Sequence, residues 1–200
     1  MTLSLGVFVV KSMKKLPIFI GSIKATPLGE VWAAVSERGL VTVEYGVSRK
    51  VFEANVRKQT KRDVEYSPKQ VETIVKQIKE YLDGKRRGFD LTIDWSILSS
   101  DPSTNSGQCF QRDALRVVFS IPYGQTRTYA DVAAQIGHPD APRAVGRANA
   151  TNPMPLVIPC HRVIGTDGKL HGYGGKGGIK TKAWLLKMEK DKCIKDREGI

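Results

Sequence analysis

Apolar residues in the first half of the chain fall into short strand-like runs and then into one helical stripe. Ile18 to Lys24 is apolar and β-branched, and Thr26-Pro27-Leu28-Gly29 is a turn signal. Val31 to Val35 and Leu40 to Tyr45 follow, separated by Glu37-Arg38-Gly39. These runs predict an antiparallel meander. Ser67-Pro68-Lys69-Gln70 then offers an N-cap, a proline for the first helical position and a glutamine for a capping box. Val71, Ile74, Val75, Ile78 and Leu82 recur at helical spacing, and Gly84 closes the run. The expectation is a small sheet carrying one amphipathic helix.

Residues 97–107 are rich in Ser, Asn, Pro and Gly and predict a linker. It divides an N-terminal domain over 18–96 from a C-terminal domain over 108–192, with 1–17 as an N-terminal extension and 193–200 as a tail. The second domain reads as mostly helical. Phe110 to Ser120 places Phe110, Ala114, Val117 and Val118 on one face and is stopped by Ile121-Pro122-Tyr123-Gly124. Thr128-Tyr129-Ala130-Asp131 is a capping box, Val132, Ala133 and Ile136 form a buried stripe, and Gly137 terminates it. A second helix opens at Asp140-Ala141-Pro142, so the pair predicts a helix-turn-helix. That helix consists of Ala, Gly and Val interrupted by Arg143 and Arg147. Small residues allow close approach to a surface, and the arginines can meet phosphates or enter a groove. The plainer reading is two arginines on a solvated face.

Composition narrows the class. With 40% hydrophobic and 26% charged residues the chain is ordinary globular material, neither wholly disordered nor fibrous. Lys+Arg 32 against Asp+Glu 20 leaves +12, which favours a polyanionic partner, nucleic acid before an acidic membrane; a merely soluble basic protein is the bland alternative. Each half of the chain carries +6, so no detachable basic tail explains the total. Cys109, Cys160 and Cys193 form no CxxC pair and do not combine with the His residues at finger-like intervals, which speaks against a disulfide scaffold and a structural zinc site. A reducing compartment follows. Leu3 to Val10 is too short to span a bilayer, and its lysines follow it, the wrong polarity for a signal peptide. Met13 is the plainer start. The protein is therefore expected to be soluble, intracellular and cytoplasmic, with no membrane partner.

Candidate chemistry centres on one segment. Asn152-Pro153-Met154-Pro155 leads through Leu156-Val157-Ile158 into Pro159-Cys160-His161-Arg162-Val163. Prolines flanking aliphatics make a rigid, buried segment that delivers a cysteine beside a base. A free thiol is only a few per cent ionised at neutral pH, so a nucleophilic Cys160 needs help. Neighbouring side chains of an extended segment point to opposite faces. His161 is therefore expected to act through a water, with an acid on its far side to fix the tautomer. Inert packing is the usual fate of a lone buried cysteine; the prolines, the base and the basic surroundings argue otherwise here.

Pro159-Cys160-His161-Arg162-Val163 resembles the active-site signature of the O6-alkylguanine-DNA alkyltransferases, the methylated-DNA–protein cysteine methyltransferases. Phe110-Gln111, Ile121-Pro122-Tyr123-Gly124, Thr128-Tyr129, Arg143-Ala144-Val145-Gly146, Asn152-Pro153, Gly172-Tyr173 and Trp184-Leu185-Leu186 are similar to family positions in family order. The likeness is strong over 108–190 and weaker over 18–95, where Thr26–Gly29 and Tyr81–Gly84 carry it.

The resemblance implies an α/β fold, with an N-terminal ribonuclease H-like sheet-and-helix domain and a C-terminal mostly helical domain containing the helix-turn-helix. It implies single-turnover transfer of an alkyl group from O6-alkylguanine in double-stranded DNA to Cys160, after minor-groove binding and base flipping, by a monomer without cofactor or metal. His161 would deprotonate Cys160 through a water, Glu189 would orient His161, Asn152 would shape the active-site turn, and Tyr129 would hydrogen-bond the leaving group. Arg143 would enter the base stack, with Ala141, Gly146 and Arg147 beside it at the DNA. Tyr173, Gly174, Pro155 and Val163 would line the substrate pocket; Gly174 replaces a hydroxyl residue of some relatives, which leaves only its backbone for O6. Flipping a base costs a few kcal/mol, which gives an inserted arginine a physical purpose.

Three other readings compete. An alkyltransferase-like lesion sensor would lack the nucleophile, and Cys160 is present. A helix-turn-helix regulator with a redox cysteine predicts sequence-specific dimeric binding. A Cys–His hydrolase needs an oxyanion hole that nothing in the sequence suggests.

Overall fold

The structure is a computed structural model that describes residues 15–98, 107–174 and 177–198. The proposed extension up to residue 14, the start at Met13 and linker residues 99–106 lie outside them.

The second strand is buried on both faces, which explains its nearly unbroken apolar sequence. β1 (Ile18–Thr26), β2 (Gly29–Ser36) and β3 (Gly39–Tyr45) form the expected antiparallel meander. Val31, Ala33 and Val35 of β2 join one apolar cluster, and Trp32 and Ala34 the other. The first of these faces is covered by the expected helix and the second by one that the sequence reading does not contain. This is α1 (Arg49–Thr60), a largely polar helix that seats only Phe52 and Val56 against Ile18, Ile20, Trp32, Ala34 and Val41. Two buried residues in twelve are too few for a periodic signal. β4 (Val64–Tyr66) is also new, a three-residue strand parallel to β1 that completes the order β3-β2-β1-β4.

α2 (Pro68–Leu82) packs Val71, Val75 and Ile78 on the other face. Its proline sits in the first turn as expected, but Ser67 makes no side-chain cap and the capping box with Gln70 does not form. Ser67 lies at φ −142°, ψ 86°, and the backbone closes the turn instead, Gln70 N–H donating to the Ser67 carbonyl at 3.1 Å. Trp95–Leu98 is a 3-10 turn with Leu98 buried, so residues 97 and 98, read as linker, pack with the N-terminal domain.

The C-terminal domain holds α3 (Gly107–Phe119), β5 (Arg127–Thr128), α4 (Tyr129–Gln135), α5 (Pro142–Ala150), β6 (Val163–Ile164) and α6 (Gly178–Glu198). The α4 capping box is present: Asp131 N–H donates to Thr128 Oγ1 at 3.0 Å, and Thr128 N–H donates to Asp131 Oδ2 at 2.8 Å. α6 continues through residues 193–198, which the sequence reading takes as tail. No helix among the described residues is long and apolar enough to cross a membrane.

One apolar cluster runs from the α2 face of the sheet into α3, α4 and α5, so the two domains share a core. At their junction Thr42 Oγ1 and Val43 N–H both donate to the Pro153 carbonyl, at 2.7 and 2.9 Å. That contact fixes the turn leading to Cys160.

Candidate active site

The turn between Asn152 and Cys160 is pinned by one side chain. Asn152 Oδ1 accepts the Met154 N–H at 3.0 Å, while its Nδ2 donates to the Ile158 carbonyl at 2.8 Å and to Cys160 Sγ at 3.2 Å. Leu156, within this turn, holds φ at 76°, a left-handed conformation that costs a non-glycine residue energy and persists only where its surroundings impose it. Cys160–Arg162 is then a 3-10 turn rather than the extended segment expected, because the Pro159 carbonyl accepts the Arg162 N–H at 2.8 Å. With three residues per turn, successive side chains diverge by ~120°. Cys160, His161 and Arg162 therefore leave the backbone in three directions. All three are buried.

His161 and Arg162 converge on Glu189 of α6. Glu189 Oε1 accepts from the Tyr81 hydroxyl at 2.5 Å, Arg162 Nη2 at 2.8 Å and His161 Nε2 at 3.0 Å. Oε2 accepts from Gly124 N–H at 2.9 Å and Arg162 Nε at 3.1 Å. Gly124 has φ 73°, and a Cβ there would lie 2.6 Å from Cys193 Sγ, so only glycine delivers this N–H. Burial alone would raise the Glu189 carboxyl, but bonds and charges from His161 and Arg162 hold it down to about 2. The carboxylate is thus ionised and can only accept, which places the His161 proton on Nε2. Among the described residues no group bonds Nδ1. Burial pushes the imidazole pKa down against the pull of Glu189, so His161 is neutral with a free basic nitrogen.

For Cys160 burial dominates and raises the thiol pKa, while the Asn152 amide and the charge of Lys182 pull it part of the way back. Lys182 is fully buried and donates from Nζ to the Val163 carbonyl at 2.6 Å, the His171 carbonyl at 3.1 Å and the Tyr129 hydroxyl at 3.5 Å. Among the described residues no carboxylate pairs with it. Burial lowers its pKa, and the nearby Cys160 thiolate opposes that. A buried ammonium near a thiol lowers the cost of ionising the sulfur, and a neutral imidazole with an open nitrogen is able to accept a proton.

Two cavities flank Tyr173 and Gly174. One, of about 700 Å³, reaches Cys160 and is walled by Asn152, Pro155, Tyr173 and Gly174 together with β3. The other, of about 780 Å³, is walled by Tyr129, Arg143, Gly146, Tyr173 and Gly174. Ala150 also lines both. Arg143 and Arg147 are exposed on α5, with Ala141 half-buried at its start. Gly146 leaves room for the Tyr129 ring, 3.9 Å from where a Cβ would stand. Gly174 accepts the Tyr45 hydroxyl on its carbonyl at 3.3 Å. Val163, expected as a pocket wall, is fully buried and lines neither cavity; strand pairing with Arg127 turns it inward, and its contribution is the carbonyl that holds Lys182.

Sequence reasoning missed Tyr81, Lys182 and the grip of Arg162 on Glu189. A tyrosine on a buried stripe needs a partner for its hydroxyl, and that was the available signal for Tyr81. Lys182 stands in a lysine-rich helix with nothing to distinguish it.

Comparisons with known proteins cover both domains. Residues 20–95 match the model of the 6-O-methylguanine DNA methyltransferase ribonuclease-like domain, and residues 109–191 match that of the 6-O-methylguanine DNA methyltransferase DNA binding domain. The methylated-DNA–protein-cysteine methyltransferase of Methanosarcina barkeri is 37% identical over 166 residues, 83% of this chain and 94% of that protein. The protein of the same name from Mycobacterium bovis is 43% identical over 122 residues, 61% of this chain and 67% of that protein. Among solved structures, a Mycobacterium tuberculosis O6-methylguanine methyltransferase variant superposes with a TM-score of 0.67 at 32% identity, covering 88% of this chain and 94% of that one. The M. tuberculosis protein in complex with DNA gives 0.65 at 31%, covering 87% and 94%.

Proposed function

This chain belongs to the 6-O-methylguanine DNA methyltransferase family, and from that premise we propose that it repairs double-stranded DNA by moving the alkyl group of O6-alkylguanine onto Cys160, once per molecule. The observation that carries this reading is the buried Cys160, His161 and Glu189 constellation with its free imidazole nitrogen beside a substrate-sized cavity.

His161 Nδ1 takes the Cys160 proton through a water. The thiolate, bonded by the Asn152 amide and facing Lys182, attacks the alkyl carbon in line. The sulfur–carbon bond forms as the carbon–O6 bond breaks, and the electron pair leaves with O6. Guanine then takes a proton from the Tyr129 hydroxyl, whose pKa burial raises, and the phenol recovers the proton that left Cys160 when His161 releases it. The thioether has no leaving group, so the site is spent. All reacting atoms come from the thiol and the DNA, and no cofactor enters.

Arg143 projects from α5 into the base stack and occupies the place of the extruded nucleotide, while Ala141, Gly146 and Arg147 keep the helix close to the minor groove. Pro155, Tyr173 and Gly174 surround the alkyl group. A single chain suffices for this chemistry, which takes place inside the cell where chromosomal DNA is found. Incubation with a duplex carrying one O6-methylguanine, followed by peptide mass spectrometry, tests the proposal. The Cys160 peptide gains one methyl group and the guanine is restored. DNA binding with an unmodified Cys160 would replace repair by lesion sensing.

A further inference from the structure

Tyr81 belongs to α2 of the N-terminal domain, yet its hydroxyl lies within the C-terminal catalytic network. It is fully buried, with Phe89 at 5.2 Å and Tyr123 edge-on at 6.1 Å between ring centroids. Its oxygen stands 2.5 Å from Glu189 Oε1 and 3.2 Å from His161 Nε2.

We propose that Tyr81 is a positioning residue for alkyl transfer: its hydroxyl holds Glu189 against His161, so that the carboxylate keeps the tautomer that leaves Nδ1 free to accept the Cys160 proton. The inference rests on the transfer reading above and adds a residue from the other domain to it. The phenol has one proton, and the carboxylate is by far its best acceptor. Once that proton is committed to Glu189, only lone pairs of the phenol oxygen face Nε2. An Nε2–H then meets two acceptors, Glu189 Oε1 and Tyr81, whereas an unprotonated Nε2 would meet their lone pairs and be repelled.

A second effect follows from competition for one oxygen. Arg162 binds Glu189 through both Nε and Nη2 and would draw the carboxylate to itself. The short bond from Tyr81 braces Oε1 on the side of His161. Deep burial and the charge of Glu189 keep the phenol protonated, so the brace persists. The N-terminal domain therefore reaches the His161–Glu189 pair through this hydroxyl.

Tyr81→Phe in the full chain removes that hydroxyl and keeps the ring, so the packing survives. The tautomer is read from the ring ¹⁵N shifts of His161 in unreacted protein, with the signals of His138 and His171 assigned by substitution. The expected result is the Nε2–H form in the parent and a mixture with Nδ1–H in the variant. Transfer slows about tenfold on both a methylated duplex and free O6-benzylguanine, with duplex affinity unchanged. An unchanged tautomer overturns the proposal, even if transfer slows, because packing alone would account for that. Parent protein that fails to alkylate Cys160 would refute the transfer reading instead, and the tautomer comparison would still decide the role of Tyr81.

Discussion

Asn152 bonds the sulfur of Cys160 from the same amide nitrogen that holds the Ile158 carbonyl, at 3.2 and 2.8 Å. Shape and chemistry are coupled in one side chain, since the turn that presents the thiol cannot loosen without withdrawing its donor. A hydrogen bond to a charged acceptor contributes about 1.5–3 kcal/mol. Asn152→Ala is therefore expected to slow transfer to Cys160 by about 10- to 100-fold and to lower the thermal midpoint. Single-turnover kinetics with free O6-benzylguanine and a melting curve separate the two effects. A lower midpoint with an unchanged rate would confine Asn152 to the turn.

Among the described residues Lys182 holds its charge beside Cys160 with two carbonyls and the hydroxyl and ring of Tyr129 for partners. Lys182→Met keeps the volume and deletes the charge, so the thiol loses one of the influences that pull it down. The rate of transfer against pH is expected to move to higher pH, with a loss of about tenfold near neutrality. Rates measured from pH 6 to pH 9 check this. A profile that keeps its midpoint would mean that the imidazole and the amide suffice.

What could be read without the structure follows from how far apart the partners lie along the chain. The meander was legible because Val31–Val35 is an unbroken apolar run between turn signals, α2 because Val71–Leu82 carries a clean helical period, and the α4 capping box because Thr128 and Asp131 are three residues apart. α1 was not, because the sheet face it covers needs only Phe52 and Val56 from it. Around Cys160 the motif brought together the proposed nucleophile and base, and resemblance pointed to Glu189, which the structure places against His161. Tyr81 is 108 residues from Glu189, and no local pattern records such a contact. The 3-10 turn at Cys160 was hidden for a different reason: Pro159 offers no signal that separates it from an extended run.

The pH dependence of stability should single out Glu189. Its folded pKa lies at about 2, below the ordinary value of 4.5, so the ionised form stabilises the fold above the ordinary value and that contribution fades as pH falls through the interval. Glu189→Gln leaves the buried Arg162 without its counter-charge, at a cost of about 3–5 kcal/mol near neutrality. In acid the parent carboxyl becomes neutral too. The difference in urea stability between parent and variant is thus expected to shrink as pH drops from 4.5 towards 2. A difference independent of pH would show that the carboxylate is not what holds Arg162. His161 adds a separate loss: its folded pKa is depressed below 6.5, so the unfolded state takes up the proton first and stability falls as pH drops below that value. His161→Asn should remove this step and, by taking a donor from Glu189, also bring the carboxyl closer to its ordinary value.

Arg143 is exposed on α5 and, among the described residues, bonds nothing in the Cys160 network, which makes it the place to separate DNA handling from chemistry. A target carbon inside a duplex is out of reach of a thiol on a residue that is only 5% exposed, so extrusion must precede attack. If the guanidinium fills the vacated stack, its loss returns the cost of unstacking, a few kcal/mol, to the reaction. Arg143→Ala is then expected to lower the transfer rate from methylated duplex by roughly 100-fold. Free O6-benzylguanine needs no extrusion, and its reaction with Cys160 should proceed at the parental rate. Equal losses on both substrates would instead mean that the substitution disturbs the cavity wall shared with Tyr129, and base replacement by Arg143 would be excluded.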